Sequence, residues 1–265
     1  MTAQIETNTA VAELLAPLGG IELDELNDLA AYQTRRDHKY LIEPHLLADV
    51  LESIKSPMRV LEIGGLRSFA YRSIYFDTPE LTSYFDAAHN RPKRFKVRSR
   101  SYLDAGTCWI EVKARIRRDQ TAKERVEHQP EAQMCLVGDA RGFVETHPSV
   151  PVEVDQLDPT IITGYRRATI HCGQRVTIDS GLWSTRPNGL EVPLGSLNKM
   201  LIIETKSDGT TPGEFDHALW SHGIRPISLS KYAVAMATAN PHLPANRWHR
   251  VLTHHVGRQR MELTG

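Results

Sequence analysis

Apolar and polar positions alternate along several short stretches of the chain, which is the pattern of half-buried β-strands. In the stretch 94–102, basic residues occupy every second position up to residue 100, with apolar or small residues between them. Because successive side chains of a strand point to opposite faces, the basic residues would share one face. The same alternation recurs near 109–117, 123–125, 165–167, 175–179 and 202–206. We expect these strands to close into a β-barrel whose cation-rich interior fits a polyanion.

Helical periodicity is found before and between these strands. Val11, Leu14 and Leu15 predict a helix in the first 31 residues, and further helical patterns follow Pro44 and the capping-box sequence 211–214. We interpret 227–235 as a last strand-like piece. The pattern predicts an α+β fold with helices outside the barrel: a helical lead-in over 1–31, a barrel domain over 32–240 and an irregular C-terminal tail over 241–265.

Charge is concentrated rather than abundant. The chain has 32 basic and 32 acidic residues, so its overall charge does not favour a nucleic-acid partner. Between residues 91 and 125, however, twelve basic residues stand against four acidic ones, which indicates a local site. The three cysteines lack metal-ligand spacing, and we find no apolar run of membrane-spanning length and no secretion signal. These features favour a cytoplasmic protein with no membrane segment.

Eight short motifs occur in an order that resembles a known family. They are Ser73–Asp77, Arg98–Tyr102, Glu111–Lys113, Lys123–Arg125, Tyr165–Arg167, Arg175–Asp179, Ile203–Lys206 and Ser230–Tyr232. Together they resemble the VTC domain, the polyphosphate polymerase domain of the vacuolar transporter chaperone complex. That family belongs to the triphosphate tunnel metalloenzymes, which include the CYTH proteins. The resemblance covers roughly residues 32 to 238.

The resemblance implies a closed, eight-stranded antiparallel triphosphate tunnel. It also implies transfer of the γ-phosphoryl group of ATP to a growing polyphosphate chain, with manganese or magnesium as cofactor. By position, the phosphate-binding residues would be Lys39, Arg98, Arg100, Lys113, Lys123, Arg167, Arg175 and Lys231. Arg98, Arg100, Lys113 and Lys123 among them would be catalytic. Glu204 matches the metal-associated glutamate, and Asp37 and Glu111 are the next metal-ligand candidates.

The chemistry of these residue types agrees with that expectation. Phosphoryl transfer depends on positioning and on stabilising charge at the phosphate oxygens, more than on covalent help from the protein. Arginine grips phosphate oxygens with a planar fork, and lysine supplies a movable point charge. A hard divalent cation would accept one or two carboxylates together with phosphate and water. The expected partners are therefore ATP or another triphosphate and inorganic polyphosphate.

Two departures from the family pattern keep other functions open. The first strand carries Arg35, Asp37 and Lys39 where CYTH proteins have two glutamates and a lysine, and Ser228 stands where the family often has a basic residue. A metal-dependent hydrolase of tripolyphosphate or other triphosphates is one alternative. A non-catalytic polyphosphate-binding module is another. Extended cations and sparse carboxylates favour chain transfer over water activation.

Overall fold

The structure, a computed structural model, describes residues 2–29, 35–117, 120–208 and 211–257. Its strands are β1 (Gly19–Ile21), β2 (Arg35–Ile42), β3 (Arg59–Leu61), β4 (Phe69–Asp77), β5 (Arg94–Tyr102), β6 (Thr107–Arg117), β7 (Gln120–His128), β8 (Asp158–His171), β9 (Arg175–Thr185) and β10 (Leu201–Asp208). Its α-helices are α1 (Thr2–Leu15), α2 (Leu23–Asp28), α3 (Leu46–Glu52), α4 (Thr82–Ala88), α5 (Asp139–Glu145), α6 (Glu214–Ser221), α7 (Lys231–Ala239) and α8 (His249–Val251).

The chain divides into two compact units. Unit one comprises Met1–Ala70, Tyr165–Leu182 and Ser196–Ser228, and unit two comprises Tyr71–Gly164, Trp183–Gly195 and Leu229–Gly265. The strand order is β2-β10-β9-β8 in unit one and β8-β4-β5-β6-β7 in unit two. The described pairs along these orders are antiparallel, which confirms the predicted α+β class with its large antiparallel sheet. Closure of the strands into a barrel stays a prediction.

The core of unit one lies on the apolar face of its sheet. Strands β2, β9 and β10 turn alternate residues inward, and α1, α3 and α6 cover that face with their apolar stripes. The buried cluster includes Tyr40, Ile42, Val176, Ile178, Leu201, Ile203, Leu47, Val50, Phe215 and Leu219. Because side chains alternate along each strand, the charged residues of the same strands must point to the opposite face.

Unit two repeats this arrangement with its own core. Alternate residues of β4, β5 and β6 pack against α5 and the segment that follows it. The buried cluster includes Ile74, Phe76, Phe95, Val97, Ile110, Val112, Ala140, Val144, Val154 and Leu157. The basic residues of β5, which alternate with Phe95 and Val97, therefore lie on the other face of the sheet, as the alternation predicts.

Asp216 in α6 connects the strands of unit one through its buried carboxylate. Tyr40 and Thr205 donate hydrogen bonds to it at 2.5 and 2.7 Å, and the Gly213 backbone N–H donates at 3.0 Å. Burial by itself would raise the pKa of Asp216, but the hydrogen bonds from Tyr40 and Thr205 lower it. The predicted capping box over 211–214 is out of register, because the helix begins at Glu214 and Asp216 provides the cap.

Asp77 has the corresponding role in unit two. Its buried carboxylate accepts the backbone N–H groups of Thr78, Ser83 and Tyr84 at 2.8 to 2.9 Å, and the hydroxyl of Tyr232. These bonds satisfy the first turn of α4, whose own preceding residue offers no side-chain cap. Burial raises the pKa of Asp77 despite these donors. Asp77 thus attaches α7 and α4 to the end of β4.

Two segments differ from the prediction. Residues 227–235 were expected to be strand-like, but α7 begins at Lys231, with Ser230 Oγ accepting the Ala233 N–H at 3.3 Å. An apolar run that is buried on several sides shows neither helical nor strand periodicity clearly, so the sequence pattern could not distinguish a helix from a strand. The tail after residue 240, expected to be irregular, contains helical turns over 246–256, in which Trp248, Val251 and Leu252 are buried. Their i, i+3 and i+4 spacing was masked by the surrounding His and Arg residues.

Candidate anion-binding site

One face of the sheet in unit two carries like charges in register across three strands. Lys96 on β5 lies opposite Lys113 on β6, which lies opposite Lys123 on β7. On either side of this lysine row, β5 and β6 place Arg94 opposite Arg115, and Arg98 opposite Glu111. Directly opposed like charges destabilise a sheet, so this arrangement requires compensation by an acid or by a ligand.

Glu111 provides part of that compensation from a fully buried position. Its Oε2 accepts hydrogen bonds from Arg98 Nε at 2.8 Å and Nη2 at 2.6 Å, while Lys123 Nζ lies 2.6 Å from Oε1. Arg100 Nη1 lies farther away, 3.9 Å from Glu111 Oε2. We call these four residues, Arg98, Arg100, Glu111 and Lys123, the Glu111 cluster.

The charges of the Glu111 cluster change one another's protonation. Burial by itself would raise the pKa of Glu111, but Arg98, Arg100 and Lys123 hold it well below its usual range. Burial, together with Arg98 and Arg100, lowers the pKa of Lys123 to about 8 although Glu111 opposes the shift. Glu111 therefore remains a carboxylate, and Lys123 can change its charge under mildly basic conditions.

Hydroxyl and aromatic groups of β4 hold the two arginines of this cluster in place. Arg98 donates to the Tyr75 hydroxyl at 3.3 Å, and Arg100 donates to Ser73 Oγ at 3.4 Å. The Arg100 guanidinium also lies 5.5 Å from the centre of the Tyr71 ring, within the range of a cation–π contact. Burial would raise the pKa of Tyr75, but Arg98 and Arg100 lower it. The arginines are thus preorganised.

The start of α7 adds two further groups to unit two. Lys96 Nζ donates to Ser230 Oγ at 2.9 Å, which attaches the cap of α7 to β5. Lys231 follows as the first residue of the helix and is half-buried. The predicted phosphate-binding Lys231 is therefore at a helix start rather than on a strand.

Unit one has a second charged face, formed by β2, β10, β9 and β8. Lys39 lies opposite Glu204 in the strand register, and Asp37 lies opposite Lys206. The Lys206 ammonium contacts Glu204 Oε1 and lies 3.2 Å from Asp37 Oδ1, while Lys39 Nζ lies 3.8 Å from Glu204 Oε2. We call Asp37, Lys39, Glu204 and Lys206 the Glu204 cluster.

Both oxygens of Glu204 are thus in contact with lysines. Burial would raise the pKa of Glu204, but the charges of Lys39, Lys206 and Arg167 hold it well below its usual range. The predicted metal-associated glutamate is therefore ionised and in contact with two lysines.

The remaining predicted residues of unit one lie on β8 and β9. Arg167 forms a two-pronged ion pair with Asp179, with nitrogen–oxygen distances of 2.5 and 2.8 Å. Arg175 lies in register with Lys206 of β10, so it belongs to the same charged face. A phosphate bound by Arg167 would have to compete with Asp179 for the guanidinium group. The sequence pattern did not predict this ion pair.

The donor set of the Glu204 cluster can be compared with what a divalent cation needs. Asp37 and Glu204 both contact one ammonium group, so one cation can already bridge the two carboxylates. A hard ion accepts such a pair together with phosphate oxygens and water. In the described part of the chain, no group of three or more His, Cys, Asp and Glu side chains could hold a metal. The two carboxylates can therefore hold a divalent ion only if the Lys206 ammonium moves away from them and phosphate or water oxygens complete the coordination of the ion.

The structure groups the predicted residues by unit. Unit two contains Arg98, Arg100, Lys113, Lys123 and Lys231, and unit one contains Lys39, Arg167, Arg175 and Glu204. The side chain of Arg35 lies outside the described residues. Contacts that the sequence analysis missed involve Ser73, Tyr75, Lys96, Asp179, Lys206 and Ser230. Alternation already placed Lys96 on the strand face of Arg98 and Lys206 on the strand face of Glu204.

The fold and its charged faces define an α+β protein with a cation-rich antiparallel sheet. The chain belongs to the VTC domain family, whose model matches residues 34–240. No curated protein matches the chain in sequence. None of the helices in the described ranges is long and apolar enough to cross a membrane.

Solved structures show partial similarity. The putative adenylyl cyclase HpAC1 from Hippeastrum, reported to have a dominant triphosphatase activity, is 17% identical with a TM-score of 0.45, over 77% of this chain and 96% of its own. A conserved hypothetical protein from Pyrococcus furiosus is 13% identical with a TM-score of 0.36, over 72% of this chain and 88% of its own. A protein from Pyrococcus horikoshii has 13% identity, the same coverage and a TM-score of 0.35.

We expect Glu111→Gln to lower the free energy of unfolding by about 3 kcal/mol, because it leaves three crowded cations without their buried carboxylate. Urea unfolding followed by circular dichroism measures the change. Glu127→Gln is the matched control, since Glu127 is exposed on the same face, opposite Trp109. Equal stabilities of the two variants would contradict the role assigned to Glu111.

Proposed function

We propose that this protein is a polyphosphate polymerase, which transfers the γ-phosphoryl group of ATP to a growing polyphosphate chain. The proposal includes closure of the strands into the triphosphate tunnel expected from the family, with a divalent manganese or magnesium ion as cofactor. The proposed catalytic groups are Arg98, Arg100, Lys113 and Lys123. The other proposed phosphate ligands are Lys39, Arg167, Arg175 and Lys231.

The observation that supports the proposal most is the row of lysines on unit two. Lys96, Lys113 and Lys123 lie in register on three adjacent strands, next to the arginines of the Glu111 cluster. A sheet would gain stability if neutral residues replaced such a row, unless the row has a ligand of opposite charge. A chain of phosphates supplies negative charge at repeated intervals and can therefore neutralise several of these lysines at once.

The chain's own residues can perform the steps that phosphoryl transfer requires. Arg98 and Arg100 have fixed orientations, so their positive charges are in place before a phosphate binds and can stabilise charge on its oxygens. Lys113 is exposed and can follow the transferred group as charge moves, and Lys123 supplies a second charge opposite it on the next strand. Glu111 and Glu204 are held as carboxylates by nearby cations, which makes them poor general bases for activating water. This favours transfer to a phosphate chain over hydrolysis.

Asp37 and Glu204 are the groups that would hold the divalent ion. Such an ion would neutralise charge on the bound phosphates. Lys206 now lies between these carboxylates, and Lys39 lies beside Glu204. Anionic phosphate oxygens would attract both ammonium groups away from the carboxylates, so we expect metal and phosphate to bind together.

The direct test incubates the purified protein with ATP and Mn²⁺ or Mg²⁺, and follows chain length on gels while ADP and free phosphate are measured. Each transfer should release ADP and lengthen a polyphosphate by one phosphate, and a short primer should remove any lag. Arg98→Ala should abolish chain growth, whereas Arg59→Ala, which alters a surface ion pair, should not. One free phosphate for every ADP would instead identify a hydrolase, and tight binding without turnover would identify a binding module.

The protonation of Lys123 predicts a pH dependence of anion binding. Its pKa is lowered to about 8, so its charge is present below that pH and is lost above it. If bound phosphate requires the charged form, affinity for tripolyphosphate should fall about tenfold between pH 7 and pH 9. The Lys123→Arg variant keeps its charge over this range. The ratio of the affinities of the unaltered protein and the variant therefore cancels the effect of pH on the ionisation of tripolyphosphate. A constant ratio in calorimetric titrations would argue against Lys123 as a phosphate ligand.

The position of Lys206 predicts how metal binding responds to substitution. Lys206→Met removes the ammonium between Asp37 and Glu204, so the variant should bind Mn²⁺ in the absence of any anion. The unaltered protein should bind Mn²⁺ appreciably only when tripolyphosphate is present. Electron paramagnetic resonance of free Mn²⁺ measures both without an activity assay. Adding Glu204→Gln to the variant should remove the gain, and retention of the gain would place the ion elsewhere.

A further inference from the structure

Three arginines come together at the end of the cationic face of unit two. Arg94 begins β5 and lies opposite Arg115 on β6. Arg247 lies in the helical turn after α7, where the neighbouring Trp248 packs against Tyr84 of α4 with ring centres 5.8 Å apart. All three arginines are half-buried.

The segment 87–91, which contains the end of α4 and the residues just after it, fixes two of these arginines. Arg247 Nη1 donates to the Ala87 carbonyl at 2.8 Å. Arg94 Nη1 donates to Asn90 Oδ1 at 2.9 Å and to the Arg91 carbonyl at 3.2 Å. All of these acceptors are neutral, so the bonds orient the guanidinium groups without neutralising their charge.

The charges of these arginines also affect one another's protonation. Burial and the positive charges of Arg115 and Arg247 lower the pKa of Arg94 to about 10. Burial and Arg115 likewise lower the pKa of Arg247. Among the described residues, the charges that act on these two groups come from arginines and not from acids. The structure thus holds like charges together at a cost that an anion would offset.

We propose that Arg94, Arg115 and Arg247 form an additional phosphate subsite, which binds a distant part of a long polyphosphate chain. This inference rests on the proposed function and extends its ligand from a triphosphate to a longer chain. Arg94 lies four residues before Arg98 on the same strand face, which is about 13 Å along the strand. The lysine row occupies the interval between them, so cations continue from the Glu111 cluster to this subsite.

The separation between the two sites supplies the test. A tripolyphosphate held at the Glu111 cluster is too short to reach Arg94, whereas a chain of several tens of phosphates can bind both sites. The double variant Arg94→Gln and Arg247→Gln should therefore bind tripolyphosphate within about twofold of the unaltered protein. Its affinity for the long chain should fall by about tenfold or more, because charge-assisted hydrogen bonds are lost.

The matched control is Arg91→Gln, which removes one positive charge from an exposed residue of the same segment. It should leave both affinities unchanged. Thermal melting checks the fold, and the double variant should melt no lower because repulsion is relieved. Equal long-chain affinity of the double variant and the unaltered protein would overturn the subsite.

Two other results have separate meanings. An equal loss of affinity for single-stranded DNA would show a general polyanion surface and would also overturn the assignment to polyphosphate. If the unaltered protein fails to bind tripolyphosphate itself, the proposed function fails, irrespective of how the variants behave.

Discussion

Repulsion among cations on one face of a sheet is the constraint on which the rest of this structure depends. Antiparallel pairing places residues of neighbouring strands side by side, so alternating basic residues become rows of like charge. The structure accommodates these rows by burying a few carboxylates among them. Glu111 in unit two and Glu204 in unit one each contact more than one cation, and their ionised state persists because those cations surround them.

A second set of buried carboxylates is separate from the charged faces and serves the fold. Asp216 accepts hydrogen bonds from β2, β10 and the start of α6, and Asp77 joins the end of β4 to α4 and α7. Asp77 lies in one of the motifs that carry the family resemblance, yet its contacts are structural. A motif residue therefore does not have to touch the ligand, since the helix that carries Lys231 depends on it.

Alternation along single strands predicted much of the fold and the composition of each charged face. The basic residues of β5, for example, lie on one face and Phe95 and Val97 on the other, as their order in the chain requires. Pairings between strands were harder to predict. The contacts of Arg167 with Asp179 and of Lys206 with Asp37 depend on register, which the spacing within one strand does not contain. The start of α7 was also beyond the pattern, because its buried residues have neither helical nor strand periodicity.

Glu111 and Glu204 can also be regarded as counterions that the protein carries within itself. A basic protein usually gains affinity for a polyanion by releasing the small cations condensed on the phosphates that it neutralises, which makes its binding weaken steeply as salt is added. Carboxylates already neutralise Arg98, Lys123, Lys39 and Lys206 in part, so these cations neutralise fewer phosphates and release fewer of the ions condensed on the ligand. Binding of the proposed phosphate ligand at these clusters should therefore depend on ionic strength less than the number of cations implies, and should persist at salt concentrations that strip polyanions from an ordinary basic surface.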